Sequence, residues 1–157
     1  MHLLVLLFGS QKVNSDQANP KIMNIKNFSI STVVGFLVYW LLGGLFYAYI
    51  FKSFLPAMPE EGNESMTTII TFGCFIMAVL FAFIYNRIGG VSNSKDAMIN
   101  GGFISLIVAA AMHTFYFQVM PEWTLQQRGL DLIINFLMGS ITSFAIYFVL
   151  KKFGSQS

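Results

Sequence analysis

Charge is scarce in this sequence, and the scarcity excludes a soluble fold. Of its 157 residues only 10% are Asp, Glu, Lys or Arg, while 55% are hydrophobic; about a quarter of a typical soluble domain is charged. The charges leave four gaps, of 25, 22, 25 and 19 residues, at positions 27–51, 65–86, 97–121 and 132–150. A water-soluble four-helix bundle is excluded, because each of its helices needs a polar stripe along its outer face.

Cysteine and histidine are also scarce, with one cysteine and two histidines in the chain, which limits redox and metal chemistry. The single cysteine, Cys74, excludes an intrachain disulfide and a CxxC redox site. A metal site needs three or four ligands, but the only histidines are His2 and His113, so haem held by two histidines would require a second subunit. Three loop acids lack the ordered ligand spacing of a cation site: Glu60, Glu61 and Glu64. We therefore expect no metal and no cofactor.

Each charge-free run is long enough to cross a bilayer, since a helix rises ~1.5 Å per residue and about 20 residues span the hydrocarbon. Lipid offers the backbone no hydrogen-bond partners, so these runs are predicted to be helices. The links between them have 13, 10 and 10 residues, at 52–64, 87–96 and 122–131, and short links make neighbouring helices antiparallel. The predicted fold is all-α: a polytopic membrane protein with an antiparallel bundle of four transmembrane helices.

The basic residues are distributed unequally about these four spans. Seven lie on the side of the termini, and two lie on the other side: Lys12, Lys21, Lys26, Arg87, Lys95, Lys151 and Lys152 against Lys52 and Arg128. The positive-inside rule then places both termini in the cytoplasm, for a multi-pass protein of the cell (cytoplasmic or inner) membrane. A net charge of +2 without a basic patch argues against a nucleic-acid partner.

The first 22 residues contain a short apolar run, at positions 3–8, that is too short to span and has no basic region ahead of it. We expect residues 1–22 to be a disordered or over-extended leader, and residues 23–157 to form a single four-span domain. An interfacial helix and a poor signal sequence remain alternatives for the leader.

Small and polar residues recur at helical spacing within the spans. In the first span Gly35, Tyr39, Gly43 and Tyr47 follow one another at intervals of four. Such faces allow close helix approach, so we expect them to form the packing seam of the bundle and to support self-association. The predicted packing positions are Gly35, Gly43, Gly102, Ala109 and Gly139.

His113 is the best indication of a functional site, because an ionisable residue within a span is a functional hypothesis by default. Counting inward from the charged boundaries places four residues in one layer ~13 Å deep: Gly43, Cys74, His113 and Ser140. This count predicts a small pocket open to the outer side. Its predicted ligand-binding residues are His113, Tyr47, Tyr116, Asn135 and Thr71. A purely structural role for a neutral imidazole that bonds a neighbouring helix is the alternative.

Catalysis has less support in the sequence. A Ser140–His113 dyad is possible by depth, but Gly139-Ser140 has no evident oxyanion device, so no catalytic residue is predicted. Proton-driven transporters typically hold a carboxylate or basic residue within a span, and here every Asp and Glu lies outside the charge-free runs, which weakens the case for coupled transport.

The segment GFLVYWLLGGLFY at positions 35–47 resembles the small bacterial membrane family catalogued as domain of unknown function 1761. Its members usually carry a glycine and a Trp-Tyr or similar pair late in the first of four spans. Here Phe46-Tyr47 occupies that place, and the proline that usually follows is delayed to Pro56. The resemblance covers about 23–152, including the entrance to the last span at 131–139. It implies a bacterial four-span membrane fold and no particular activity.

The sequence therefore favours a non-enzymatic membrane protein, either an accessory subunit or a binder of a small apolar or lipid-like molecule. An oligomeric small-solute channel or facilitator is the alternative, and a membrane enzyme that uses His113 is a third hypothesis. The expected partners are the lipid bilayer, a second copy of the chain and a small ligand.

Overall fold

The computed structural model describes residues 24–55, 64–87, 93–117 and 121–154, and the predictions for the leader lie outside these residues. Four helices follow one another along the chain: α1 (Ile25–Gly43, continued by a π-helical segment, Gly44–Ile50), α2 (Glu64–Arg87), α3 (Ser94–Tyr116) and α4 (Leu125–Phe153). No strand occurs among the described residues. The predicted all-α class with four helices is confirmed.

Side-chain caps explain where three of the helices begin. The Asn24 side chain accepts a hydrogen bond from the Asn27 amide at the start of α1, and Asn93 does the same for Asp96 at the start of α3. At the start of α4, Thr124 and Gln127 form a reciprocal capping box. Each cap satisfies backbone N–H groups that the first helical turn leaves without partners.

Helix α4 begins earlier than its charge-free run at 132–150 suggests. It starts at Leu125, so Arg128 and Asp131 lie within the helix rather than before it. Both are buried, with exposed fractions of 5% and 8%. With 29 residues, α4 measures about 44 Å, which exceeds the ~30 Å of a hydrocarbon core.

The helices pack antiparallel, with α1 between α2 and α4 and with α3 along α4. The hydrogen bonds between α1 and α4 show the antiparallel order: Tyr39 bonds Asn135, and the later residue Tyr47 bonds the earlier residue Asp131. The described parts of α2 and α3 make few direct contacts with each other. At one end the Tyr85 hydroxyl of α2 donates a hydrogen bond of 3.0 Å to the Ala97 carbonyl oxygen of α3, and elsewhere the backbones of these two helices are not closely packed.

Apolar side chains cover the outside of the bundle as well as its core. The core cluster comprises Tyr39, Cys74, Phe81, Ile134, Met138 and Ile146. Large apolar side chains such as Phe72, Phe103 and Phe148 are more than half exposed, a surface that water would disfavour and lipid would not. All four helices are long and apolar enough to cross a membrane. The protein is therefore a multi-pass integral membrane protein.

The tightest contact in the bundle is the crossing of α3 and α4. A Cβ atom added at Gly139 would overlap the Gly101 carbonyl oxygen and the Ser105 hydroxyl, and one added at Gly101 would overlap the Gly139 carbonyl oxygen. Gly102 lies against Ser140 in the same crossing. The two backbones therefore touch directly, an approach that only glycine permits here.

Candidate ligand site

The buried Asp131 carboxylate is the centre of a partly buried polar cluster near the N-terminal end of α4. One carboxylate oxygen accepts a hydrogen bond from the Tyr47 hydroxyl of α1. The other lies 2.8 Å from His113 Nε2 on α3 and accepts from Asn135 Nδ2 at 3.0 Å. A buried carboxylate is tolerated only when its oxygens are satisfied in this way. The cluster joins α1, α3 and α4.

Both ring nitrogens of His113 face charged groups. Arg128 Nη1 lies 3.4 Å from Nδ1, and the Asp131 carboxylate lies at Nε2. A guanidinium only donates hydrogen bonds, so in this arrangement Nδ1 is the acceptor toward Arg128 and Nε2 is the donor toward Asp131. The imidazole lies between one basic and one acidic side chain. Neither nitrogen is left to act as a base toward Ser140.

Arg128 is held by further contacts at this end of the bundle. Its Nε donates to the Trp123 carbonyl oxygen at 3.3 Å, and its guanidinium lies 4.9 Å from the centre of the Phe117 ring. Opposite charges joined through one imidazole are less costly to bury than either charge alone. This pairing explains how two ionised residues fit inside a helix of an apolar bundle.

The cluster extends inward through Asn135. Its amide nitrogen also donates to the Tyr47 hydroxyl at 3.1 Å, and its amide oxygen accepts from the Tyr39 hydroxyl at 3.1 Å. Tyr39, one of the core residues, thus connects the apolar centre of the bundle to the charged cluster. Such networks fix the relative rotation of the helices that carry them.

A change of helix type positions Tyr47. From Gly44 to Ile50 helix α1 continues as a π-helix, and it closes with a hydrogen bond of 2.8 Å from the Phe51 amide to the Phe46 carbonyl, five residues apart. π-Helical segments are rare in proteins, and those that occur often lie at functional sites. Here the segment carries the hydroxyl that reaches Asp131.

Beside the cluster lies a cleft of about 220 Å³. All four helices and the α3–α4 link contribute to it, and its lining residues are Tyr39, Met77, Val108, Ala109, Met112, His113, Tyr116, Trp123, Asp131 and Asn135. One end is polar, at His113 and Asp131, while the walls are aliphatic, thioether and aromatic. The Trp123 and His113 rings lie 5.7 Å apart. A small molecule with an apolar body and a polar group matches this arrangement.

The residues predicted from the sequence occupy different places in this site. His113, Tyr116 and Asn135 line the cleft. Tyr47 contacts the same cluster from behind, through Asp131 and Asn135. Thr71 lies elsewhere, where its hydroxyl accepts a hydrogen bond of 3.2 Å from Trp40 Nε1. The structure therefore brings four of the five side chains together and leaves Thr71 apart.

The predicted packing positions contact their neighbours as follows. Gly35 faces Ala78 and Ile146, and Gly43 faces Met138. Gly102 and Gly139 lie in the α3–α4 crossing. Ala109 is buried and also lines the cleft.

The predicted common layer of His113 and Ser140 is wrong. Asp131 lies outside the charge-free run at 132–150 as stated, yet it lies within an apolar helix, so that run does not mark the limits of the helix. His113 is level with Asp131, nine residues from Ser140 along α4, whereas Ser140 contacts Gly102. The depth count used Asp131 as the membrane boundary, but that residue is two turns inside its helix. The argument against coupled transport loses its premise.

Three residues of the cluster were absent from the predicted site: Tyr39, Arg128 and Asp131. For Arg128 and Asp131, the sequence contains a pattern that places them inside a helix. Thr124 and Gln127 have the spacing of a capping box, which indicates a helix start before Arg128. Arg128, Asp131 and Asn135 then follow at intervals of three and four, on one helix face.

Among the described residues, no group of three or more His, Cys, Asp or Glu side chains is arranged to hold a metal ion. The only described histidine, His113, has Asp131 as its single carboxylate partner.

Compared with protein-family models, with curated proteins and with solved structures, the chain matches none of them.

Proposed function

We propose that this protein binds a small lipid-like molecule in the cleft between α2 and α3 and is not an enzyme. The observation that carries the proposal is the cleft of about 220 Å³ with the partly buried His113–Asp131 pair at one end and apolar walls elsewhere. Ligand sites are typically apolar cavities with a few polar groups that orient the ligand. Membership in the family catalogued as domain of unknown function 1761 stays a prediction that agrees with this proposal.

The size and position of the cleft suggest how the ligand sits. A volume of about 220 Å³ is below the ~300–1,000 Å³ of pockets that enclose drug-sized molecules, so it accommodates a ring or a small headgroup. Because the backbones of α2 and α3 are not closely packed beyond the Tyr85–Ala97 hydrogen bond, we infer that an apolar tail leaves the cleft between them. A molecule that enters from the membrane fits better than a polar solute from water.

The hydrogen-bonding groups of the cleft suggest the chemistry of the headgroup. The His113, Asp131 and Asn135 side chains are engaged with one another. Among the described residues, neither the Tyr116 hydroxyl nor the Trp123 indole N–H has a hydrogen-bond partner, and both residues line the cleft. The indole only donates. A headgroup with an acceptor oxygen, such as a carbonyl, is therefore favoured.

Native mass spectrometry of the protein released gently from its own membrane tests the proposal and gives the subunit count. We expect a retained small molecule in the wild type and its loss in His113→Ala. Met112→Trp places a larger side chain in the cleft and keeps both residues of the His113–Asp131 pair, so it should also lose the ligand while keeping the fold. Asn86→Ala is the matched control, because Asn86 bonds Ser31 Oγ at the other end of the bundle.

A bare wild-type protein, or a bound mass that survives Met112→Trp, would overturn the proposal. Self-association is a separate prediction, and a monomeric native mass would contradict it without affecting the ligand site.

A further inference from the structure

A second cavity lies at the opposite end of the bundle. It has a volume of about 700 Å³ and is lined by Asn93, Ser94, Phe144, Tyr147, Phe148, Lys151 and Lys152. Asn93 and Ser94 at the start of α3 line one side, and the last turns of α4 line the rest. Lys151 lies twenty residues beyond Asp131 on α4, a distance of about 30 Å along the helix. This cavity and the ligand cleft are therefore independent sites.

The cavity is positively charged. Lys151 and Lys152 both line it, and no described acidic residue does. The Lys151 ammonium lies 6.0 Å from the Tyr147 ring centre, and the Lys152 ammonium lies 5.2 Å from that of Phe153. Asp96, the acid in the first turn of α3, accepts a hydrogen bond of 2.7 Å from Asn93 Nδ2. The two ammonium groups have no carboxylate partner among the described residues, so they can neutralise an anion.

The cavity also changes from charged to apolar along α4. Phe144 and Phe148 are one turn apart, both are exposed, and the two lysines follow within the next turn. The distance from Phe144 to Lys152 is about 12 Å along the helix. A phospholipid changes from phosphate to acyl chain over a comparable depth, whereas a free phosphate ion has nothing to place against the two phenyl rings.

We propose that this cavity binds an anionic phospholipid, with its phosphate at Lys151 and Lys152 and an acyl chain along Phe144 and Phe148. Basic pockets between transmembrane helices on the cytoplasmic side recognise such headgroups. The site sits at the end of the bundle that also carries Lys26, Arg87 and Lys95.

The test is a native mass spectrometry titration of the full-length protein in detergent with phosphatidylglycerol or phosphatidylcholine. We expect tighter binding of phosphatidylglycerol, and a loss of roughly 25-fold in its affinity for Lys151→Gln/Lys152→Gln, about five-fold for each lysine. Lys26→Gln/Lys95→Gln makes the same change in charge at the same end without altering the cavity lining, so it should bind phosphatidylglycerol nearly as well as the wild type.

Three outcomes would overturn the proposal. Equal binding of the two lipids would remove the role of the anionic headgroup. Equal losses in the two double variants would indicate general attraction to a basic surface. Displacement of the lipid by inorganic phosphate at equal concentration would identify a phosphate-ion site, because the acyl chain would then contribute nothing.

Discussion

At the scale of single residues, Asp131 organises the candidate site. Its two oxygens receive hydrogen bonds from three side chains that belong to three helices, namely Tyr47, His113 and Asn135. Removing one partner of a buried charge pair typically costs ~3–5 kcal/mol, mainly because the other charge is left buried. Asp131 and Arg128, joined through His113, therefore depend on each other.

Tyr47→Phe tests the contribution of one of these bonds. The change removes a hydroxyl that donates to Asp131 and accepts from Asn135, so we expect the free energy of unfolding in bicelles to fall by about 1 kcal/mol, within the range of side-chain hydrogen bonds between membrane helices. Tyr49→Phe is the matched control, because Tyr49 is 80% exposed and should change stability by less than about 0.5 kcal/mol. Equal effects of the two variants would contradict the role given to Tyr47.

The sequence predicts part of this cluster. His113, Asn135 and Tyr47 stand out as polar residues on small-residue helix faces, and that pattern depends only on spacing. Arg128 and Asp131 are missing from the predicted site because a span defined as a charge-free run places every charged residue outside the membrane. Their mutual neutralisation through an imidazole on another helix depends on the packing of α3 against α4, which no local pattern records.

At the scale of helices, the crossing of α3 and α4 fixes the geometry that brings His113 to Asp131. Gly101 and Gly139 are in direct backbone contact, and Ser105, Ser140 and Ser143 fill the remaining space. His113 is three turns from this contact along α3, so a small separation of the helices would move its ring away from the carboxylate.

Gly139→Ala should force this separation. The added methyl group would overlap the Gly101 carbonyl oxygen, and backbone atoms cannot move aside as a flexible side chain can. We expect a loss of about 1–3 kcal/mol in the free energy of unfolding. Gly73→Ala, where a new Cβ meets nothing within 4 Å, should be neutral or stabilising by about 0.5 kcal/mol. If both variants unfolded alike, the crossing would not be the constraint described above.

At the scale of the whole molecule, the four antiparallel helices follow from run length and short links, but the loose packing between α2 and α3 does not. A face of small residues predicts that a helix packs closely against another helix, but it does not predict which helix that is. Gly35 of α1, for example, faces both Ala78 of α2 and Ile146 of α4. The position of the cleft depends on these pairings.

The proposed topology, with both termini in the cytoplasm of a bacterial cell, is tested by cysteine labelling in a Cys74→Ser background. In intact cells a membrane-impermeant maleimide should label Glu122→Cys and should not label Ser157→Cys. Both should react once the membrane is permeabilised. The reverse pattern in intact cells would show the opposite orientation and would place the lysine-lined cavity on the outer side.

The separation of Lys151 and Lys152 from the Arg128–Asp131 pair has an electrical consequence. Moving one elementary charge across a membrane potential of 100 mV changes its energy by ~2.3 kcal/mol. The charges of Arg128 and Asp131 cancel, but the charges of the two lysines add. In the predicted topology, with both termini in the cytoplasm, a potential that is negative inside would favour that orientation of the two lysines by about 5 kcal/mol per 100 mV, and depolarisation would remove this contribution.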